Sequence, residues 1–113
     1  MTLTQSQESF VRALYSLNRT MKQLFDSGNV ALFTEMNAEI KTLYSMQHGS
    51  ADPVLQAVDA ECKIIYHNFD MIVAVLRTTE NGVIDAGAQS AINKFLHNID
   101  DSVVNIASVF GVV

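Results

Sequence analysis

Cysteine, proline and charge are all scarce in this chain. Its 113 residues include one cysteine, one proline and 17% charged side chains, against about 25% charged in an average domain. The single thiol, Cys62, excludes an intrachain disulfide and fits a reducing compartment. Residues 1–6 carry no basic segment and no apolar core, so no secretory signal is expected. The longest apolar stretches without charge, 71–76 and 103–113, are too short to span a bilayer. A soluble cytoplasmic protein with no membrane contact is the expectation. Bases are sparse as well, with 7 Lys and Arg against 12 Asp and Glu. Arg12, Arg19 and Lys22 form a thin basic line without interleaved aromatics, which argues against nucleic acid as a partner.

The acids are unevenly spread. Residues 1–51 balance four acids with four bases, whereas residues 52–113 hold eight acids and three bases. The whole excess of −5 therefore lies in the second half. Such a field is compatible with a basic protein partner.

What the chain has in abundance is apolar periodicity. Hydrophobic residues make up 49% of it, and they recur at steps of four and three through four segments. The first predicted helix covers about residues 4–26, with Phe10, Leu14, Leu17, Met21 and Leu24 as its stripe. Thr4 and Gln7 read as a capping box, and Gly28 as a left-handed stop. The second covers about 30–48, with Phe33, Met36, Ile40 and Leu43 in line. The third starts at Asp52-Pro53, an N-cap followed by proline where its missing amide costs nothing. It continues through Leu55, Val58, Cys62, Ile65, Phe69, Ile72 and Leu76 to a close at Asn81-Gly82. The fourth covers about 85–111, with Ile92, Phe95, Ile99, Ile106 and Val109 as one stripe. Ser102 interrupts it. The uncharged end of this helix should be docked rather than frayed.

Short connections between long amphipathic helices predict an all-α fold, an antiparallel up-down-up-down four-helix bundle filling residues 1–113 as one domain. The third and fourth predicted helices also carry a second apolar stripe. Ile64, Met71 and Val75 lie on one, and Leu96, Val103 and Phe110 on the other. A lone bundle buries one stripe per helix. The second stripes predict a homodimer packed through these six residues.

One tetrapeptide is repeated. His67-Asn68-Phe69-Asp70 returns 30 residues later as His97-Asn98-Ile99-Asp100. With the turn at Gly82 midway, both copies should reach similar height in a hairpin. Histidine and aspartate at i,i+3 share a helix face, which is how helical bundles assemble metal sites. His67, Asp70, His97, Asp100 and Asp101 are therefore the candidate ligands of a divalent cation. Against this, Phe69 and Ile99 take the core positions, which turns the histidines away from the seam. Neither Glu-x-x-His nor His-Glu-x-x-His occurs. No cofactor is expected.

Cys62 falls on the apolar stripe and reads as a small buried hydrophobe. Glu35 with Glu39, and Asp59 with Glu61, are neighbouring carboxylates among ordinary surface residues. No Gly-rich phosphate loop, Gly-x-Ser-x-Gly or Ser/His/Asp order is present. A histidine phosphotransfer bundle should show a basic residue and a glycine soon after its histidine. Asn68-Phe69-Asp70 and Asn98-Ile99-Asp100 do not supply them. The hairpin running from Leu24 through Phe25-Asp26-Ser27-Gly28-Asn29 to Leu43 resembles that of small flagellar export chaperones. The resemblance does not extend through the two long C-terminal helices, and no family is read from it.

The reading that remains is a non-enzymatic helical interaction module: an adaptor, chaperone, regulator or inhibitor. The alternative is a small-molecule- or metal-binding bundle. It would use an apolar pocket or the His/Asp site between the third and fourth helices.

Overall fold

Three of the five helices among the described residues begin at a side-chain cap. In the computed structural model, which describes residues 3–79 and 84–111, the elements are α1 (Gln5–Ser27), α2 (Leu32–Gln47), α3 (Pro53–Ala57), α4 (Asp59–Thr78) and α5 (Ala86–Phe110). No strand occurs among the described residues. The expected turn at Asn81-Gly82 and the final two valines lie outside them.

Thr4 and Gln7 form the reciprocal capping box of α1. Gly28 ends that helix at φ 65°, with its amide on the Leu24 carbonyl, a conformation that costs glycine nothing. Asn29 then accepts a hydrogen bond from the Ala31 amide at 3.1 Å and organises the entry to α2. Asp52 caps α3 through the amides of Val54 and Leu55. Asp85 caps α5 through Ala88 at 2.8 Å. The side-chain amide of Gln7 also donates to both oxygens of Asp52, at 3.2 and 3.1 Å, so the caps of α1 and α3 are joined.

The third predicted helix is broken in two. Val58 leaves helical geometry at φ −100°, ψ 10°, and α4 begins with the next residue. The cause is Gln47, a buried polar residue on α2. Its side-chain amide donates to the Leu55 carbonyl at 3.2 Å and to Asp59 Oδ1 at 2.9 Å. A carbonyl held by a side chain and by the Val58 amide loses its place in the i→i+4 ladder. The ladder resumes when Cys62 donates to the Val58 carbonyl at 3.0 Å.

Packing runs from α1 to α2, from α2 to α4, from α4 to α5 and from α5 back to α1, most extensively between α4 and α5. The stripes of α1 and α2 are buried along their whole length. The rings of Phe10 and Phe110 meet with centroids 5.6 Å apart, which docks the end of α5. No helix among the described residues is long and apolar enough to cross a membrane.

The stripe of α5 differs from the one expected. Leu96, Val103 and Phe110 are 3%, 4% and 4% exposed within a single copy. They join Ile92, Ile99 and Ile106 in one uninterrupted 4-3-4-3-4 row. Val109, assigned to the core by its spacing, is instead 47% exposed, and Phe95 is half-buried. The apolar residues of α5 admit two readings offset by one position, about 100° of rotation. The fold takes the row that no polar residue breaks. Leu96, Val103 and Phe110 therefore cannot form the dimer surface expected of them.

Candidate functional site

The repeated tetrapeptide does meet across α4 and α5, but through its asparagines. Phe69 and Ile99 are buried. That places Asn68 and Asn98 at the seam and rotates the preceding histidines outward. Asn98 donates its side-chain amide to Asn68 Oδ1 at 3.0 Å. Asn68 in turn donates to the Ile64 carbonyl one turn back at 2.8 Å. His67, Asp70, His97 and Asp101 are exposed, and Asp100 is half-buried. The His97 ring stacks on Phe25 instead, at 5.2 Å between centroids. No group of three or more His, Cys, Asp or Glu converges on a cation position among the described residues. The expected His/Asp metal site is thus not assembled.

On α4 the second stripe survives as surface. Ile64 is 42% exposed and Met71 38% exposed. Val75 is half-buried and rests against the core. The half of the expected partner face that lies on α4 is open, while the half on α5 is closed.

The break between α3 and α4 brings the buried Gln47 to the partly exposed pair of Asp59 and Lys63. Asp59 accepts from Lys63 Nζ at 2.9 Å and from Gln47. Both hydrogen bonds, Lys63 first, hold the Asp59 carboxyl below its ordinary range, and Asp59 raises Lys63 in return. Cys62, one turn into α4, is buried and unpaired. Burial, reinforced by the nearby charges of Asp59 and Glu61, pushes its thiol up to about 12. A thiol held protonated is a poor nucleophile. The oxygen of the Gln47 side chain and Oε2 of Glu61 are buried without a hydrogen-bond partner.

Grooves open along other seams than the one expected. One of about 390 Å³ lies between α2 and α4, lined by Phe33, Lys41, Tyr66 and Arg77 among others. One of about 500 Å³ lies between α1 and α5, over Leu14 and Val103. A third, of about 360 Å³, runs from Phe25 and Val30 to Ile92 and His97. None of these lies between α4 and α5, because that pair is the most closely packed and its seam is filled by the asparagine contact.

Comparison with protein-family models, with curated proteins and with solved structures finds no match to this chain. The chemistry of the site therefore rests on its own residues.

Two residues that matter here gave a signal in the sequence that the apolar pattern passes over. Gln47 continues the α2 stripe four residues after Leu43, and Gln7 precedes the α1 stripe three residues before Phe10. A polar residue at a core position must find partners. Both place their side-chain amide donors on residues distant along the chain.

Proposed function

We propose that this chain is a non-enzymatic helical interaction module that pairs with a second copy through the outer face of α4. The reading takes the four long helices as an antiparallel up-down-up-down bundle in which α3 is a short prelude to α4. Support comes from contacts that run in opposite directions along the chain. Asn68 meets Asn98 while the earlier Glu61 lies 3.5 Å from the later Asn105. On α2 and α4, the Tyr44 ring meets the Tyr66 ring at a tilt while Gln47 reaches Asp59.

The observation that carries the proposal is the exposure of Ile64 and Met71, 42% and 38%, two turns apart on one helix. A two-fold axis between them would seat Ile64 of each copy against Met71 of the other, with Val75 at the rim. A large apolar side chain contributes about 1.5–3 kcal/mol when fully buried, and association itself costs about 4–15 kcal/mol. This small face therefore supports a reversible dimer rather than an obligate one. The surplus of carboxylates after residue 51 favours a basic protein over an acidic one as any hetero-partner, and disfavours nucleic acid. The lone protonated thiol suits the cytoplasm.

Sedimentation velocity over a micromolar concentration series tests the pairing. The expected result is a mass that rises towards twice the monomer, with Ile64→Lys and Met71→Lys each holding the chain monomeric and still helical. A monomeric mass at every concentration overturns it.

A further inference from the structure

The groove between α2 and α4 combines features that the other seams do not. Its volume, about 390 Å³, lies within the range of about 300–1,000 Å³ typical of small-molecule sites. Phe33, Ile40 and Phe69 are buried at its floor, and Tyr66 and Val73 are half-buried in its walls. Thr34 and Asn37 supply hydrogen-bonding groups. Two cations, Lys41 and Arg77, line it together with one carboxylate, Asp70. The chain has only 7 bases and a net charge of −5, so two cations on one groove stand against the trend of the molecule. The ion pair formed among the described residues is Lys63–Asp59, which leaves Lys41 and Arg77 without a carboxylate partner there. Arg77 also complements the dipole at the last turn of α4. Lys41, in the middle of α2, has no such local role.

We propose that this groove binds a small amphipathic anion, an aromatic monocarboxylate. The flat apolar body lies along the accessible edges of Phe33 and Phe69 beside Tyr66, where apolar burial adds to the affinity. The carboxylate turns to Lys41 or Arg77, the two exposed cations that line the groove. Asp70 sets the charge of the ligand. It opposes a second negative group, so a monoanion is accepted ahead of a dianion. A cationic ligand of the same shape meets two like charges.

The test uses the full chain, labelled with ¹⁵N, and three probes of one shape: 1-naphthoate, 1-naphthalenemethanol and 1-naphthylmethylamine. The expected result is saturable backbone shifts at Thr34, Asn37, Lys41, Asp70 and Arg77 with 1-naphthoate. It should bind about tenfold or more tightly than either comparator. Lys41→Gln and Arg77→Gln together remove that preference, and both side chains are exposed enough for the variant to keep its helical spectrum. The proposal fails if the three probes bind equally or if 1-naphthoate gives no saturable shift. It fails equally if the shifts fall on Tyr15, Asn18 and Lys22 in the α1–α5 groove. Each of these outcomes is read on the unsubstituted chain, so the result does not depend on the variant folding, and none depends on the oligomeric state.

Discussion

Asn98 and Asn68 share a hydrogen bond of 3.0 Å across the α4–α5 seam, and Asn68 is buried. A part-buried polar pair is satisfied only when the two helices stand at one height. The pair therefore sets the register of the closest helix contact in the molecule. Asn98→Ala leaves the Asn68 oxygen without its donor and should cost about 1–3 kcal/mol. Replacing both residues by leucine removes the need for partners and should recover most of that loss. Urea unfolding of the two variants, followed by circular dichroism, measures the difference. A double variant that is less stable than the single one would sink this account.

The same pair shows what the sequence made legible. The 30-residue repeat announced that these segments would meet, and they do. Which residue of each tetrapeptide faces the partner depends on a rotation of one position. The apolar pattern around Phe69 and Ile99 already pointed the histidines outward. On α5 the same ambiguity placed Leu96, Val103 and Phe110 outside and Val109 inside, the reverse of what forms. Caps were easier to read, because Thr4, Gly28 and Asp52 act on neighbours a few residues away. The break at Val58 was hidden, because its cause, Gln47, lies on another helix.

Gln47 should be sensitive to substitution in a graded way. Gln47→Leu loses the donor to Leu55 and Asp59 and should cost about 1–3 kcal/mol, lowering the melting temperature by several degrees per kcal/mol. Gln47→Glu should be worse at neutral pH, because it sets a second carboxylate beside Asp59 with no donor between them. The penalty of Gln47→Glu relative to Gln47→Leu should shrink as the pH falls. Melting curves at neutral and acidic pH decide it.

Asp59 gives the chain an acid-sensitive contact. Its native carboxyl titrates below its ordinary value through Lys63 and then Gln47. Its contribution to stability is therefore present above the unfolded value, about 3.9, and is lost as pH falls through the lower native one. A ¹³C titration of the Asp59 carboxyl should show the depressed midpoint. Lys63→Gln should move that midpoint back up, and a midpoint unmoved by Lys63→Gln would contradict the assignment.

Cys62 should be nearly inert to polar thiol reagents in the folded chain. A thiol at about 12 carries roughly a thousandfold less thiolate at pH 8 than one at about 8.5. Labelling with a charged aromatic disulfide should be slower than in concentrated guanidinium chloride by at least that ratio. The linkage has a second consequence. The native value lies above the unfolded one, so this group's stabilising effect is complete below about pH 8.5 and drains away as the pH climbs towards 12. Cys62→Ala should flatten that alkaline decline.

Phe110 lies against Phe10, so the last turn of α5 stands beside the early turns of α1. Joining those neighbouring regions by a short flexible peptide would add little closure entropy. The backbone could then be reopened beside the exposed Gly49, at the end of α2. A circularly permuted polypeptide of this kind should reach the same helix packing, since what holds α1 to α5 is side-chain packing, the ring contact included, and not the order in which the helices are synthesised.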